Sequence, residues 1–522
     1  MQLKRAGGMM ENNRSELAKK ASEAFLWNHT LFIAATAISA VTTYVMASFM
    51  TPTSYGLFTS VMAFAAFVQW AVSLGFEGAI NVHIPRLLGN LPRLRFMLKR
   101  LLGLRTAVLV VLCVAIFACK DVMRGGWLPA GIGTVGEYFP LAVLVATMTV
   151  LCGFLVRVME TLFRVKQMAV VRLASLLAAM LAVYICLSLG YGITAVLWIT
   201  VVTSAMALGG YFVFCRDVVL GDDEAFPLAD VYSFSRAAWL ATLAGYALGK
   251  SMDVVIMAFY NVPKSDVAFY QIAFVLVDYA YVSVTKGLTG VLQSAFARAY
   301  NDGGSASLSG WWRITMKFQI LVCAPPVLFL VLFPSAVLGA LLPTYMGASK
   351  LLGVYGVFAL LFSVLGGGAH ITVLYAMNRE KTVLWVSLVA GFINLALDLV
   401  LIYWFGVMGA LIATGVSSVI ARVLELVLVR RAISIAYPFR FCAMTALCLV
   451  AAGALAFMVP FSGLTGLAVR MALFAVGYIV SALLVRPIEA EDMDGLLVVS
   501  PRLAAYLVPF SRSAHPTPGA GG

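Results

Sequence analysis

The amino-acid sequence predicts an all-α polytopic membrane protein with about 14 transmembrane helices, arranged as two six-helix lobes plus two extra C-terminal helices. Of its 522 residues, 62% are hydrophobic and only 11% are charged, and the mean hydropathy is +0.98. Soluble domains of this length do not have that composition. Apolar stretches of about 20 residues, enough to cross a bilayer, recur along the whole chain. Segments of the two halves also match at a nearly constant offset.

The first 25 residues form a polar, basic tail. The apolar stretch that follows is too long for the core of a signal peptide, and we interpret it as a retained first helix. Transmembrane spans are predicted at 26–49, 55–79, 102–119, 138–158, 170–189, 193–214, 237–260, 268–292, 314–333, 350–377, 383–404, 407–429, 441–460 and 464–486.

An internal repeat organises these spans into two lobes. Residues 49–58 match residues 260–269 at an offset of 211, and residues 191–200 match residues 405–414 at an offset of 214. The offset covers six helices, an even number, so both copies have the same orientation and their symmetry axis lies along the membrane normal. The predicted organisation is a cytoplasmic N-terminal tail (1–25), an N-lobe (26–217), a cytoplasmic linker (218–235), a C-lobe (236–431), helices 13 and 14 (441–486) and a cytoplasmic C-terminal tail (487–522).

The distribution of lysine and arginine predicts the orientation. With a cytoplasmic N-terminus, 29 of the 36 basic residues fall on the cytoplasmic side and four on the opposite side. Positively charged loops remain in the cytoplasm, so both termini are predicted to be cytoplasmic. This bias also accounts for the net charge of +13 without a nucleic-acid partner. The basic loop 86–105 is foremost a topology determinant, with contact to anionic lipid as a second role.

The sequence offers no constellation for catalysis. The four histidines are scattered, and the eight cysteines have no CxxC spacing, which predicts small buried apolar residues. Residues 244–251 fit a loose phosphate-loop pattern, but that loop follows a strand and this stretch lies within a predicted continuous apolar span. The longest outward loop, 120–137, is too short for a glycan polymerase or ligase domain. We therefore predict a protein that is not an enzyme and has no cofactor.

Three stretches carry a family resemblance: ASFMTPTSYGLFTSVMAFAAFVQWAVSLGFEGAIN (47–81), SMDVVIMAFYNVPKSDVAFYQIAF (251–274) and the turn Gly406–Ala410. With the predicted layout, they resemble the polysaccharide-transporter branch of the multidrug/oligosaccharidyl-lipid/polysaccharide (MOP) exporter superfamily. Members of that branch flip undecaprenyl-pyrophosphate-linked oligosaccharides, such as O-antigen-type units, across the bacterial inner membrane. The resemblance implies a monomeric, multi-pass inner-membrane flippase with a lipid-linked glycan as substrate. It also implies contact with membrane lipids and with polysaccharide polymerase and glycosyltransferase partners.

Three alternatives stay open at this point. The peptidoglycan-precursor flippase has the same helix count, but its arginine-rich signature in the first two helices is not seen here. A related exporter of drugs or other amphiphiles would have a cavity rich in aromatic residues and poor in cations, and such exporters usually have twelve helices. A membrane glycan polymerase, ligase or structural subunit is the third alternative.

Charged side chains within apolar spans are costly and usually face a partner or a wet cavity. For the pyrophosphate and glycan we predict contacts with five basic side chains: Lys250, Lys286, Arg157, Arg422 and His370. Each has another explanation. Lys250 with Asp253, Arg157 with Glu160, and Arg422 with Glu425 are pairs three residues apart that neutralise each other on one helix face. Lys286 extends its ammonium group to the membrane surface, and the glycines before His370 permit a close helix crossing.

Three carboxylates within the spans are the candidates for ion coupling. Asp253, Asp278 and Asp398 lie deep in spans 7, 8 and 11. Buried carboxyl groups take up protons more readily than exposed ones, so these residues are predicted to bind a coupling proton or sodium ion. Moving a lipid-linked glycan outward then draws on an ion gradient, as in an antiporter.

Overall fold

In the computed structural model, residues 27, 30–118, 133, 135–247, 249–434, 436–489 and 510–511 are described. These residues are almost entirely helical, and the β-structure described among them is one isolated bridge between Ile488 and Ser511. We number the helices α1 to α17, and a short 3₁₀ helix covers Pro343–Ala348. Their bounds are Thr30–Phe49, Pro52–Val72, Phe76–Leu87, Leu91–Ala118, Phe139–Thr161, Val165–Ser188, Ile193–Val219, Ala229–Ala247, Lys250–Phe259, Lys264–Leu332, Pro334–Leu341, Ser349–Val364, Ala369–Ala376, Glu380–Phe405, Val407–Ala432, Phe439–Phe457 and Gly463–Val485.

The prediction of a helical multi-pass membrane protein is confirmed. Eleven helical stretches among the described residues are long and apolar enough to cross a membrane. Three predicted spans are not among them. The span at 102–119 lies within α4, the span at 237–260 is divided between α8 and α9, and the span at 268–292 lies within α10. The count of 14 and the twofold repeat therefore stay predictions.

Two predicted loops are helical in the structure. The helix α4 begins at Leu91, inside the basic loop, and α10 continues past the predicted end of span 8 as far as Gly304. Gly304, with φ 61° and ψ −149°, separates the two parts of α10. Arginine, lysine and leucine are good helix formers, so a helix that leaves the bilayer continues until a residue such as Gly304 ends it.

The contacts between residues define two compact units, Met1–Ala268 and Phe269–Gly522. Unit 1 includes α8 and α9, because α8 packs against α3 and α9 packs against α2. The predicted linker 218–235 consequently lies inside unit 1, and the predicted lobe boundaries stay a prediction. Within unit 1, α5 packs against α2, α3, α4 and α7, and two clusters of buried apolar side chains form around Phe154 and Phe139.

Unit 2 is built around two antiparallel helix pairs, α14 with α15 and α16 with α17. The turn at Gly406 has φ 56°, and a β-carbon at Gly409 would lie closer than 3 Å to the backbone of Leu401. Glycine at these positions lets α14 and α15 run close together. This close pair carries the buried polar cluster described below.

The second predicted span is broken in the structure. The helix α2 ends at Val72, Leu74 and Gly75 have φ values of 53° and 68°, and α3 begins at Phe76. A β-carbon on Gly75 would lie closer than 3 Å to the carbonyl oxygen of Ser235 in α8. The break therefore depends on glycine both for its backbone conformation and for close packing.

Gly75→Ala is expected to destabilise the folded protein by at least about 2 kcal/mol, since it adds backbone strain to a steric clash. Thermal unfolding of the purified protein in detergent measures the loss. Gly89→Ala is the matched control, because a β-carbon at Gly89 meets no atom within 4 Å. Equal unfolding temperatures for the two variants would contradict the role of Gly75.

Candidate functional site

A broken membrane helix in unit 2 collects several of the predicted site residues. The helix α12 ends at Val364 and α13 begins at Ala369, with Gly366 and Gly367 at φ 99° and 49° between them. The glycine run before His370 thus produces a break in the helix. A break leaves backbone carbonyl groups without intrahelical donors, and within a membrane these groups need partners from the protein.

Side chains from three segments satisfy these carbonyl groups. Arg422 Nη1 donates to the carbonyl oxygen of Gly367 at 2.9 Å, and Tyr437 Oη donates to that of Val364 at 2.6 Å. His370 Nε2 lies 2.5 Å from the carbonyl oxygen of Leu365. The break is therefore held by a polar network that involves α13, α15 and the segment before α16.

His370 has no exposed surface, and its ring nitrogens are both engaged. Trp312 Nε1 donates to His370 Nδ1 at 2.9 Å, so Nδ1 is an acceptor and Nε2 carries the proton that reaches Leu365. The indole and imidazole rings are stacked, with centroids 5.7 Å apart. In this conformation the side chain is enclosed in unit 2, and contact between His370 and the glycan stays a prediction.

Arg422 also belongs to this network. Its guanidinium forms an ion pair of 2.5 Å with Glu425 and lies over the ring of Phe362, 5.1 Å from the centroid. Only 12% of its side chain and 2% of that of Glu425 are exposed. In this conformation Arg422 therefore pairs with Glu425 on one helix face, as in the alternative interpretation.

A second polar cluster lies between α14 and α15. Asn394 Nδ2 donates to Asp398 Oδ2 at 2.7 Å, and Ser417 Oγ donates to Asn394 Oδ1 at 2.7 Å. These three side chains have no exposed surface, and Thr414 beside them is 5% exposed. A carboxylate, an amide and two hydroxyl groups provide a concentrated set of oxygen atoms inside an apolar helix pair. Such oxygen donors suit a hard cation, and the carboxylate suits a proton.

The stretch around Lys250 and Asp253 is divided in the structure. The helix α8 ends at Ala247, and α9 begins at Lys250 after Gly249. A helix, not a strand, precedes Gly249, so the phosphate-loop pattern is again excluded. Lys250 is half-buried at the first position of α9, and Asp253 is fully buried in its first turn. The positive end of the helix dipole favours the carboxylate of Asp253 over the ammonium of Lys250.

The other predicted site residues occupy different settings. Arg157 pairs with Glu160 at 2.8 Å, with 41% and 32% of their side chains exposed, so they remain accessible in unit 1. Asp278 is half-buried on α10. The side chain of Lys286 lies outside the part of the chain that the structure describes.

Arg105, which sequence analysis counted only as part of a basic loop, is fully buried in unit 1. It donates two hydrogen bonds to the carboxylate of Glu77, at 2.8 and 3.0 Å, and one to the carbonyl oxygen of Ser73. Its guanidinium also lies over the rings of Phe76 and Phe154. One side chain of α4 thereby holds both ends of the break between α2 and α3.

The sequence contains a signal for one missed residue but not for the other. Asn394 stands four positions before Asp398, so the two polar groups share one face of an apolar helix. That spacing was enough to propose the pair. For Arg105 the sequence places a cation at a span boundary, where positive charge is ordinary, and its partner Glu77 is 28 residues away.

The fold resembles solved membrane transporters. Against the lipid II flippase MurJ in an inward closed conformation, the TM-score is 0.70 with 12% identity, covering 89% of this chain and 98% of that chain. Against an inward-facing multidrug resistance MATE family transporter, it is 0.61 with 12% identity, covering 76% and 94%. Against a MOP superfamily transporter from Pyrococcus furiosus, it is 0.55 with 13% identity, covering 78% and 95%. At these identities the likeness concerns the fold, so this chain has the fold of these transporters.

The family comparison is more specific. The family described as "Polysaccharide biosynthesis protein" matches residues 45–345, more than half of the chain, and this chain belongs to that family. No curated protein matches the sequence. The predicted resemblance to polysaccharide transporters of the MOP superfamily is confirmed, and the solved relatives are transporters and flippases rather than enzymes, in agreement with the prediction.

Proposed function

We propose that this protein is a flippase that moves undecaprenyl-pyrophosphate-linked oligosaccharide repeat units across the bacterial inner membrane by alternating access. The observation that carries the proposal is the match to a polysaccharide biosynthesis family in a chain with a flippase-like fold. A sugar-bearing pyrophosphate group does not cross hydrocarbon unaided, because burying its charges and hydroxyl groups is too costly. A transporter of this class provides a wet path for that group while the lipid chain stays in the bilayer.

For the pyrophosphate we propose contact with Lys250 and Arg157. Both are accessible or half-buried in unit 1, and arginine offers a planar pair of donors that matches phosphate oxygens. Lys286 stays in the proposal on sequence grounds. Arg422, held by Glu425 and the carbonyl group of Gly367, is proposed to reach the substrate only after unit 2 changes conformation.

For the coupling ion we propose Asp398, with Asp253 as a second fully buried candidate and Asp278 as a third. Asp398 is favoured because it is fully buried in a polar cluster, in which Asn394 donates to its carboxylate and Ser417 donates to Asn394. The ion is a proton or a sodium ion. Binding and release at Asp398 would link the gradient to movements of the α14–α15 pair.

Reconstituted vesicles test the function directly. The purified protein is expected to move a fluorescent undecaprenyl-pyrophosphate-linked oligosaccharide between leaflets, and Lys250→Ala is expected to abolish that movement with a normal amount of folded protein. Arg379→Ala removes an exposed cation outside the proposed site and serves as control. Selective movement of lipid II would instead support a peptidoglycan-precursor flippase, which the MurJ-like fold makes the second candidate.

The double variant Lys250→Ala/Asp253→Ala separates substrate binding from neutralisation. If Lys250 only neutralises Asp253, removing both charges restores transport better than either single change does. Recovery in the double variant would overturn the proposed contact between Lys250 and the substrate, and the proposed function would still stand.

We further propose that the protein lies in the inner membrane with both termini in the cytoplasm, where it exchanges substrate with glycosyltransferases and a polysaccharide polymerase as a monomer. The lysine and arginine distribution supports this orientation. Reporters fused after Asn301 or Arg379 are expected to be cytoplasmic, and reporters after Val262 or Met346 periplasmic. Periplasmic activity at Asn301 would contradict the proposed topology.

A further inference from the structure

The last turns of α5 present a polar face in unit 1. Gly153, Arg157 and Thr161 follow one another at intervals of four residues, so they lie on one side of the helix. Glu160 shares this side through its ion pair with Arg157. The opposite side packs into the apolar cluster around Phe154. Charged groups avoid hydrocarbon chains, so this face is directed toward water or headgroups.

Asn81, exposed on the neighbouring helix α3, lies beside this face. The Thr161 hydroxyl donates to the carbonyl oxygen of Arg157 at 2.8 Å and reaches Asn81 Oδ1 at 3.3 Å. Residues four apart on a helix have β-carbons about 5–6 Å apart. The amide group of Asn81 is therefore held about one helical turn from Arg157. Together, Asn81, Arg157, Glu160 and Thr161 form what we call the α3–α5 polar face.

Several polar groups of the α3–α5 polar face are available to a ligand. Asn81 Nδ2, Arg157 Nη2 and Glu160 Oε1 form no hydrogen bond with the residues that the structure describes. The ion pair between Arg157 and Glu160 is accessible, and accessible pairs rearrange at little cost. Space is also available on this side of α5, because a β-carbon added at Gly153 would meet no atom within 4 Å.

The chemistry of the α3–α5 polar face suits a sugar beside a phosphate. A guanidinium group such as that of Arg157 matches phosphate oxygens. An amide group both donates and accepts hydrogen bonds, and a carboxylate only accepts them. Sugar hydroxyl groups can donate as well as accept, so they can bind Asn81 and Glu160 at the same time. A second phosphate group would instead be repelled by Glu160.

The depth and spacing also fit a lipid-linked sugar. The helix α5 has 23 residues, whereas about 20 residues cross the hydrocarbon core, so Arg157 and Thr161 lie close to the end of the crossing. A pyrophosphate group that is attached to a membrane lipid lies at this boundary. The first sugar is bonded directly to that group, and one helical turn is a similar distance to the width of a sugar ring.

We propose that Asn81, Glu160 and Thr161 bind the first sugar of the transported glycan while Arg157 binds its pyrophosphate group. This inference rests on the proposed function and adds to it the residues that recognise the sugar. It predicts that the sugar contributes to binding through hydrogen bonds on α3 and α5, separately from the charge contact at Arg157.

The test compares undecaprenyl pyrophosphate that carries one neutral hexose with the same carrier without a sugar. Thermal unfolding of the purified full chain in detergent, followed as each carrier is added, gives the two apparent affinities. Asn81→Ala and Thr161→Val are expected to weaken binding of the hexose carrier about tenfold, the effect of losing a hydrogen bond, and to leave binding of the sugar-free carrier unchanged. Thr106→Val is the control, because Thr106 is exposed on α4 and also donates to the carbonyl group four residues before it.

A further variant fills the space beside Arg157 without removing a polar group. Leucine favours a helix more than glycine does, so Gly153→Leu should fold and should weaken binding of both carriers. Unchanged affinities in Gly153→Leu, or equal weakening of both carriers in Asn81→Ala and Thr161→Val, would overturn the sugar contact and leave the flippase proposal standing. A wild-type protein that binds neither carrier would contradict the proposed function itself, and this inference with it.

Discussion

Asp398→Asn is expected to abolish gradient-driven transport while the protein remains folded. The substitution keeps the shape of the side chain and an oxygen atom that can accept the hydrogen bond from Asn394 Nδ2, now 2.7 Å from Asp398 Oδ2. It removes the negative charge, which is the feature that binds a sodium ion or takes up a proton. The residue is fully buried between α14 and α15, so bulk water does not reach the site to bind the ion in place of the lost carboxylate.

The measurement is flipping of a lipid-linked oligosaccharide in vesicles with an imposed proton or sodium gradient. The wild-type rate should rise when the gradient of the coupling ion, proton or sodium, is imposed. Asp398→Asn should show the same low rate with and without that gradient. Asp278→Asn is the comparison, since that carboxylate is only half-buried on α10. Unchanged gradient dependence in Asp398→Asn would remove this residue from the coupling mechanism and leave Asp253 as the buried candidate.

Arg105→Leu is expected to have the largest effect on stability, about 3–5 kcal/mol. Leucine supplies apolar volume but leaves the carboxylate of Glu77 and the carbonyl group of Ser73 without the donors that they have in the wild type. The contacts of the guanidinium with the rings of Phe76 and Phe154 are also lost. Both halves of the broken helix, α2 and α3, then lose their common support.

Thermal unfolding in detergent measures this loss, and Arg157→Leu is the control. Arg157 forms a similar ion pair with Glu160, but that pair is exposed, and exposed pairs contribute only about 0–1 kcal/mol. In Arg105→Leu/Glu77→Leu the orphaned carboxylate is removed, so part of the stability should return. Equal destabilisation by Arg105→Leu and Arg157→Leu would show that burial of the Arg105 pair has no special role.

The two predictions differ in how far the sequence led to them. Asp398 was recognisable as a carboxylate in an apolar span, because intramembrane charges are rare and stand out in the sequence. Its amide neighbour Asn394 was recognisable in principle from the spacing of four residues. Ser417, on the next helix, was not, since its contact with Asn394 depends on how closely α14 and α15 approach at Gly409.

The two helix breaks also differ in how much of their basis lies in the local sequence. The break before His370 has its basis in the local sequence, because glycine readily adopts the positive φ values found at Gly366 and Gly367. The break at Leu74 and Gly75 was not predicted, since a single glycine within an apolar stretch is common in membrane helices. What stabilises that break is the donor group of Arg105 and the close approach of α8, and neither is encoded near Gly75 in the chain.

By itself, the sequence determined that this chain is a multi-pass helical membrane protein related to polysaccharide transporters. The membrane class follows from composition and local length, because each span must satisfy its own backbone hydrogen bonds and cross the same hydrocarbon thickness. The relation to polysaccharide transporters follows from the resemblance of residues 47–81 and 251–274 to that family. Only the tertiary structure decided that His370 is sealed against Trp312, that Arg105 joins the two ends of a broken helix, and that Asp398 lies in an oxygen-rich cluster. These arrangements join residues far apart in the chain, and they exist only where packed helices bring the side chains within hydrogen-bonding distance.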